Sequence, residues 1–296
     1  MSGLLREALI AIKFGGIALL MTATPAFASL LNVTDPAGDD NGPGNYVYPT
    51  NSSFTPGAFD IRQFQVFDDG TTVYFLLTVG NLTPTFGSPL GAQLIDVYLH
   101  DPNAAAADTS TAASFPQRNY TITPADAWSR LLEVQGFGQR YIDAHGVTLG
   151  TINISTDAAT DTVMFTVPAA TLGHPGPGWD AVVTLTGQDG FSPDEARGFA
   201  ATPQSFLFGV CATPSSDPHC TFDPTKVPKV IDTITPPGIS QSTELDYTHG
   251  PVILRGIAFP EGGTLGPPPG IVPEPASLAL LAAGLGFLSL VRRRSA

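Results

Sequence analysis

The stretch FDIRQFQVFDDGTTVYFLLTV, residues 59–79, determines the fold class. It holds two runs rich in aromatic and branched side chains, 59–67 and 72–79, joined through Asp69 and Gly70. Runs of this composition favour β-strands, and an Asp-Gly step between two of them is typical of a tight hairpin turn. The stretch therefore predicts an antiparallel β-hairpin.

Similar runs recur on the C-terminal side of this hairpin. They predict strands at 92–100, 147–155, 162–168, 179–187, 204–210, 226–234 and 251–259. The first alternates as a half-buried strand does, and the second and third, with a turn at 156–161, predict another hairpin. Glycine and proline (31 and 28 residues) interrupt the chain throughout, and no long stretch has the helical period. The pattern predicts an all-β protein, a single antiparallel β-sandwich of ten to twelve strands.

The first 28 residues have the features of a secretory signal peptide. Arg6 and Lys13 form a positive region that precedes a short apolar core at 14–22. Ala26-Phe27-Ala28 fits the small-x-small cleavage rule. Ser29 is then the first residue of the mature protein. The alternative, a short membrane anchor, is disfavoured because the apolar core is too short to cross a bilayer.

The last 25 residues, VPEPASLALLAAGLGFLSLVRRRSA (272–296), combine a short motif, an apolar run at 276–291 and a basic end. The motif residues are Pro273, Glu274 and Pro275, and the basic residues are Arg292, Arg293 and Arg294. Basic residues after an apolar run orient it with that end in the cytoplasm. This tail resembles the PEP-CTERM sorting signal of Gram-negative bacteria. The resemblance implies a transmembrane sorting helix that holds the precursor in the inner membrane, and processing by an exosortase. The alternative is an ordinary C-terminal anchor.

The predicted domain occupies residues 29–260, followed by a Gly/Pro-rich linker at 261–271. The two ends carry five of the 13 basic and two of the 26 acidic residues, which leaves eight basic and 24 acidic residues between them. A surface with this excess of negative charge repels phosphate backbones, so we expect no binding to nucleic acids. The charge suits divalent cations, neutral polysaccharides and solubility.

Two cysteines, Cys211 and Cys220, lie close together in the sequence. An even, closely spaced pair in an exported protein predicts a disulfide. A metal site that includes His219 is the alternative, but it has a single nearby imidazole and no second cysteine pair.

The sequence contains no Gly-x-Ser-x-Gly, His-Glu-x-x-His or P-loop motif, and none of its five histidines is paired at metal-binding spacing. Aspartates are numerous, but no pair is marked as the acid and base of a glycosidase. We therefore expect no enzyme activity.

The stretch DPAGDDNGPGNYVYP (35–49) is the best candidate for a metal site. Calcium prefers six to eight oxygen ligands, and the glycines here allow a tight turn that directs carbonyls inward. The candidate ligands are Asp35, Asp39, Asp40, Asn41 and, from the neighbouring strand start, Asp60. The spacing is not that of an EF-hand. The alternative is a set of Asx turns, in which the carboxylates accept backbone N–H bonds without an ion.

Sugar binding requires aromatic faces that stack on pyranose rings beside polar groups that fix their orientation. The candidates are Tyr46, Tyr48 and Trp128. Tyr46 and Tyr48 share one face if their segment is extended. A place in the core is the alternative for each of the three.

Several ordered motifs carry a resemblance that covers most of residues 30–260. They are DPAGDDNGPGNYVYP, GAFDI (57–61), Asp68-Asp69-Gly70 with TVYFLLTVGNL, WDAVVTLTGQDGF (179–191), FGV (208–210) and VIDTITPPGISQ. Together they resemble the C-terminal domain family of glucodextranase. The resemblance implies a β-sandwich like those of DOMON and family 9 carbohydrate-binding modules, and a role in cell-surface attachment or sugar binding. In this sequence no catalytic domain accompanies the module.

We therefore expect an exported, non-catalytic module of the cell envelope or extracellular space that binds polysaccharide, with one disulfide and a structural Ca²⁺ ion. Two alternatives remain: a structural matrix or biofilm protein without a defined sugar ligand, and a hydrolase of unrecognised type.

Overall fold

The predicted hairpin is present in the computed structural model, which describes residues 28–111, 117–192 and 194–261. Fifteen strands lie in these ranges: β1 Ala28–Thr34, β2 Ile61–Asp68, β3 Thr72–Val79, β4 Gln93–His100, β5 Tyr120–Ile122, β6 Arg130–Gln135, β7 Gln139–Asp143, β8 Asn153–Asp157, β9 Thr162–Pro168, β10 Asp180–Gly187, β11 Phe199–Ala200, β12 Phe208–Gly209, β13 Asp232–Thr233, β14 Val252–Leu254 and β15 Ile257–Ala258. Strands β2 and β3 pair antiparallel around Asp69-Gly70, where Gly70 has a φ of 86°.

Helical structure in the described residues is limited to short turns. The α-helical segments are α1, Ala169–Leu172, and α2, Gln241–Glu244, and the 3₁₀ turns are Pro124–Asp126 and Pro218–Cys220. Ser240 caps the start of α2, where its hydroxyl accepts a bond from the Thr243 N–H.

Two antiparallel sheets form the sandwich. The first sheet has the order β1-β2-β3-β9-β8, and the second has the order β13-β10-β4-β6-β7, with β15 also paired to β10. Two short parallel pairs, β11 with β12 and β5 with β14, lie beside the sheets. The all-β sandwich prediction is confirmed, with these parallel pairs as additions that the sequence pattern does not indicate.

Strand positions agree best where the runs are long. The predicted strand at 147–155 begins later, at Asn153, so only its last three residues, together with the next two, pair with β9. The runs at 204–210 and 226–234 shorten to β12 and β13, because irregular loops use most of their backbone bonds. The run at 251–259 divides into β14 and β15 around Arg255-Gly256.

Aromatic rings connect the strands of the first sheet on its buried face. Phe75 and Phe165 lie directly opposite each other on β3 and β9, with ring centroids 5.2 Å apart and nearly parallel planes. Phe64 on β2 stacks on Phe75 at 6.3 Å. All three side chains are fully buried. Burial of rings of this size supplies much of the hydrophobic stabilisation of such a core.

Strand β4 is buried on both faces, so the expectation of a half-buried strand at 92–100 is wrong. The reason is an ionic cluster that covers its outer face. Asp96 of β4 lies opposite Glu133 of β6, and Arg118 pairs with both carboxylates at 3.0 and 2.9 Å. All three side chains are inaccessible to solvent. Asp96, a polar residue of the alternating pattern, therefore pairs with Arg118 inside the protein and does not face solvent.

The predicted signal peptide, except its last residue Ala28, lies outside the described residues, as do most of the predicted linker and the sorting tail. Within residues 28–111, 117–192 and 194–261, no helix has both the length and the apolar character needed to cross a membrane.

Candidate functional site

The loop between β1 and β2 places its carboxylates against a distant segment of the chain. Asp35 follows β1, Asp39 lies on the next turn, and Asp232 begins β13 almost 200 residues later. One carboxylate oxygen from each of the three residues lies within 4.8 Å of the other two. We call this group, with the adjacent Asp60, the aspartate cluster.

The cluster is electrostatically unfavourable when all its members are charged. Burial, and then the charge of Asp39, raises the pKa of Asp35 to about 7. Burial, and then the charge of Asp40, raises the pKa of Asp60 to about 6. For the fully buried Asp232, burial and the nearby Asp35 hold the pKa well above its usual range. These directions show that the site favours either protons or a cation.

Several carboxylate oxygens of the cluster are buried without a hydrogen-bond partner among the described residues. They are Oδ2 of Asp35, Oδ1 of Asp39 and Oδ1 of Asp60. The other oxygen of Asp60 accepts a bond from the Gly38 N–H at 3.0 Å and lies 2.5 Å from the Arg62 guanidinium. Buried acceptors that lack partners are uncommon in native proteins and indicate a missing ligand, water or proton.

The loop itself is ordered by backbone bonds. The carbonyl of Asn41 accepts from the N–H groups of Gly44, Asn45 and Tyr46, and the Gly42 N–H donates to the Ile231 carbonyl at 2.8 Å. Gly42 has a φ of 60°, and a β-carbon there would lie 2.2 Å from the Tyr46 ring. Glycine is therefore required at this position for both conformation and space.

Asp40 and Asn41, two of the predicted calcium ligands, have other contacts. Asp40 accepts a bond from the Tyr48 hydroxyl, which in turn accepts from the Phe59 N–H at 3.0 Å. Asp40 does not belong to the three converging carboxylates, and the backbone carbonyl of Asn41 accepts the bonds of the turn. Asp232 was not among the residues predicted from sequence. Its one available signal is an aspartate inside the apolar run VIDTI (230–234), where burial of a charge calls for a partner.

The three aromatic residues predicted to stack on sugars lie in or against the core. Trp128 and Tyr46 are 1% and 5% exposed, and Trp128 packs edge-on against Tyr98. Tyr48 is half-buried between Phe59 and Phe208. The stacking prediction for Trp128 and Tyr46 is therefore corrected, because a buried ring offers no face to a polymer in solution.

A different set of aromatic residues lines an open groove of about 680 Å³. Its rings are Phe86, Phe137, Phe191 and Phe206, with exposures of 39%, 58%, 100% and 45%. We call it the phenylalanine groove. Large apolar side chains gathered on one exposed surface indicate a binding site. Three of the four rings stand beside a glycine in a turn, which is a sequence signal that could have identified them.

Arg197 organises one wall of the phenylalanine groove. Its guanidinium lies 4.9 Å from the centre of the Phe54 ring and about 6 Å from those of Phe86 and Phe206. It donates to the carbonyls of Phe206 and Gln188 at 3.1 and 2.7 Å. These bonds and cation–π contacts fix the rings around one charged group.

Two buried polar atoms of residues that line the groove have no partner among the described residues. They are Nε of Arg197, a donor, and Oε1 of Gln188, an acceptor. The two atoms are themselves shielded from solvent, so the groove combines exposed ring faces with a lining that includes the polar residues Gln188, Asp189 and Arg197.

A second groove of about 570 Å³ differs in character. It is lined largely by polar residues, including Asn119, Lys226 and His249, and its two tyrosines, Tyr120 and Tyr247, are almost fully buried. It presents no exposed ring face for stacking on a sugar.

The predicted disulfide between Cys211 and Cys220 is present. The loop it closes contacts the loop after β1, because the Asn45 side-chain amide donates to the carbonyls of Val210 and His219 at 2.6 and 2.8 Å. His219 lies beside Asp217 and Asp246, at 3.2 and 3.1 Å. The disulfide therefore braces the loop that carries the aspartate cluster.

Comparison with known proteins gives two matches. Residues 30–252 match the profile of the C-terminal, SLH-like binding module of glucodextranase, and residues 272–295 match the PEP-CTERM protein-sorting motif. No curated protein matches the chain. The first match includes the aspartate cluster, the phenylalanine groove and the strands of the two sheets except β15 and the first two residues of β1.

Proposed function

The chain belongs to the family of SLH-like C-terminal binding modules of glucodextranase, and from this membership we propose that it is an exported, non-catalytic module that binds extracellular polysaccharide. The PEP-CTERM motif implies export and a precursor anchored in the membrane of a Gram-negative bacterium, and it implies processing by an exosortase. The family is one of binding modules, which supports binding in place of catalysis.

The observation that carries the proposal is the phenylalanine groove. Sugar rings present apolar C–H faces and hydroxyl edges, and they bind where aromatic faces lie beside a few fixed polar groups. Phe137 and Phe191 supply the most exposed rings, and Gln188, Asp189 and Arg197 are the polar residues of the same lining. The strong negative charge of the domain disfavours a highly anionic polymer, so a neutral glucan-like polysaccharide is the ligand class.

We test the proposal by pull-down of the domain on a panel of insoluble glucans and exopolysaccharides. The wild-type protein should be retained, and Phe137→Ala combined with Phe191→Ala should reduce retention roughly tenfold or more, given ~0.5–1.5 kcal/mol per aromatic contact. Val147→Ala is the matched control, because Val147 is 57% exposed and lies outside the groove. Both exposed phenylalanines can be removed without opening the core.

The outcomes separate the alternatives. If no polysaccharide retains the wild-type protein, the binding proposal is wrong and the structural matrix role is favoured. If the double variant is retained to the same extent as the wild type, the protein binds polysaccharide, but the phenylalanine groove is not the binding site. Release of reducing sugar from any of the glucans would favour the hydrolase.

A further inference from the structure

We propose that the aspartate cluster binds one calcium ion, held by Asp35, Asp39 and Asp232 with Asp60 beside them. The site joins three parts of the chain: the loop after β1, the residue before β2 and the first residue of β13. This inference is independent of the polysaccharide proposal, since the cluster shares no residue with the phenylalanine groove.

The spacing of the carboxylates fits a single ion. Calcium binds oxygens at about 2.3–2.6 Å, so two ligands of one ion lie at most ~5 Å apart. The converging oxygens of Asp35, Asp39 and Asp232 lie within 4.8 Å of one another. Oxygen is the donor in every case, which favours a hard cation over zinc or copper. Neighbouring backbone carbonyls and water can complete the coordination of such an ion.

Among the described residues, one protein cation, Arg62, forms an ion pair with a carboxylate of the cluster, which leaves a net negative charge when all four carboxylates are ionised. Asp232 and Asp60 are 0% and 2% exposed. Arg62 forms an ion pair with Asp60, but in the described ranges no lysine or arginine forms one with Asp35, Asp39 or Asp232. Burial of several carboxylates without a counter-charge is strongly unfavourable, and a divalent cation removes that cost.

The buried oxygens without partners are a second, independent observation. Asp60 is buried, and its Oδ1 has no hydrogen-bond partner among the described residues. Oδ2 of Asp35 and Oδ1 of Asp39 are also buried atoms without a hydrogen-bond partner among these residues. An Asx-turn arrangement alone would satisfy these oxygens with backbone N–H groups, so it leaves this observation unexplained.

The alternative calcium set predicted from sequence differs at two positions. Asp40 lies outside the three converging carboxylates, and one of its oxygens accepts a bond from the Tyr48 hydroxyl. Asp232 also accepts bonds, from the N–H groups of Ile61 and Thr233 at 2.6 and 2.8 Å, but its carboxylate converges with those of Asp35 and Asp39. Asp232 replaces Asp40 and Asn41 as the ligand from a distant segment, which makes the ion a tertiary link and not a local loop ligand. We therefore expect its removal to loosen the contact between the loop and β13.

The first test is thermal unfolding of the disulfide-intact domain in calcium chloride, in magnesium chloride and in EDTA. Calcium should raise the unfolding midpoint by several degrees relative to EDTA, and magnesium should raise it less, because magnesium demands a small octahedral site. An unchanged midpoint would overturn the proposal, and an equal response to magnesium would overturn the assignment to calcium.

The second test uses terbium as a luminescent substitute for calcium. Terbium bound in the wild-type cluster should luminesce on excitation of the nearby Tyr46 and Tyr48, and calcium should displace it. Asp39→Asn and Asp232→Asn should each remove the calcium-displaceable signal and the calcium-dependent rise in the unfolding midpoint. Asp157→Asn is the control, with the same charge change at an exposed residue.

Asp39→Asn also separates ion binding from a purely structural role. The Oδ1 atom of Asp39 has no partner among the described residues, so the amide relieves repulsion without breaking a bond made by that atom. In EDTA this variant should be at least as stable as the wild type, while in calcium it should be less stable. If Asp39→Asn retains the full calcium response, the assigned ligand set is wrong, even where Asp232→Asn fails to fold.

Discussion

Phe86, one of the four rings of the phenylalanine groove, has a strained backbone conformation. It has a φ of 55° and is followed by Gly87 at 76°, in a turn closed by reciprocal bonds between Thr85 and Ser88. Two successive positive φ values are typical of a type I′ turn, where Asn-Gly is the favoured pair. A bulky residue in this conformation costs about 1–2 kcal/mol. Strain of this kind is concentrated at functional sites, and here it presents a ring to the groove.

Phe86→Asn tests this interpretation. Relief of about 1 kcal/mol of backbone strain should offset the loss of ring contacts with Phe54 and Phe206, which leaves the free energy of unfolding within about 1 kcal/mol of the wild type. Binding to polysaccharide should fall severalfold. The measurements are urea unfolding and the pull-down assay, with Phe137→Ala as the control, because Phe137 does not have a positive φ. Undiminished binding would show that Phe86 does not contact the ligand.

Single residues also show how far sequence reasoning reaches at the site. Asp35, Asp39 and Asp60 were predicted together because they lie close in one loop and the adjoining strand start. Asp232 was not, because only the pairing of β13 with β10 brings it to the loop. The groove rings were missed for the same reason: they lie on separate turns, and only the fold gathers them.

At the scale of elements, local signals account for the strands that sequence predicted. The Asp-Gly turn identifies β2 and β3, an alternating run identifies β4, and a run rich in branched residues identifies β10. Strands β6 and β7 were missed because their turn is Gly-Phe-Gly, without the usual polar turn residues. Strand β11, which sequence did not predict, has two residues and is too short for any periodicity.

The burial of β4 depends on the ionic cluster and not on its own sequence pattern. Arg118→Met should therefore destabilise the domain by about 3–5 kcal/mol, because it leaves Asp96 and Glu133 buried without their shared cation. Guanidinium unfolding at neutral pH measures the effect. Adding Asp96→Asn and Glu133→Gln should recover part of the loss. A loss below about 1 kcal/mol for Arg118→Met would show that the carboxylates find other partners.

At the scale of the whole molecule, the two matched regions correspond to a binding module and its sorting signal. Residues 30–252 carry the binding fold, and residues 272–295 carry the sorting motif. The excess of acidic residues is consistent with the calcium site proposed above. The disulfide fits an oxidising environment.

Replacement of Pro273, Glu274 and Pro275 by alanine should block processing. In a host that has an exosortase, we expect the variant to accumulate in the inner-membrane fraction at the mass of the unprocessed precursor. The wild type should leave that fraction with a lower mass. Cell fractionation with intact-mass measurement follows both proteins, and Pro267→Ala in the linker is the control. Identical masses and locations would contradict a role of the motif in sorting.

The central claim, that the domain binds polysaccharide through the phenylalanine groove, is tested most directly by affinity electrophoresis through gels that contain soluble glucans. We predict that at least one glucan retards the wild-type domain, and that Phe137→Ala with Phe191→Ala migrates as if no glucan were present. Both proteins should have the same unfolding midpoint, because the two rings are exposed. The claim would be contradicted if the folded double variant were retarded as much as the wild type. It would also be contradicted if no glucan retarded the wild-type domain.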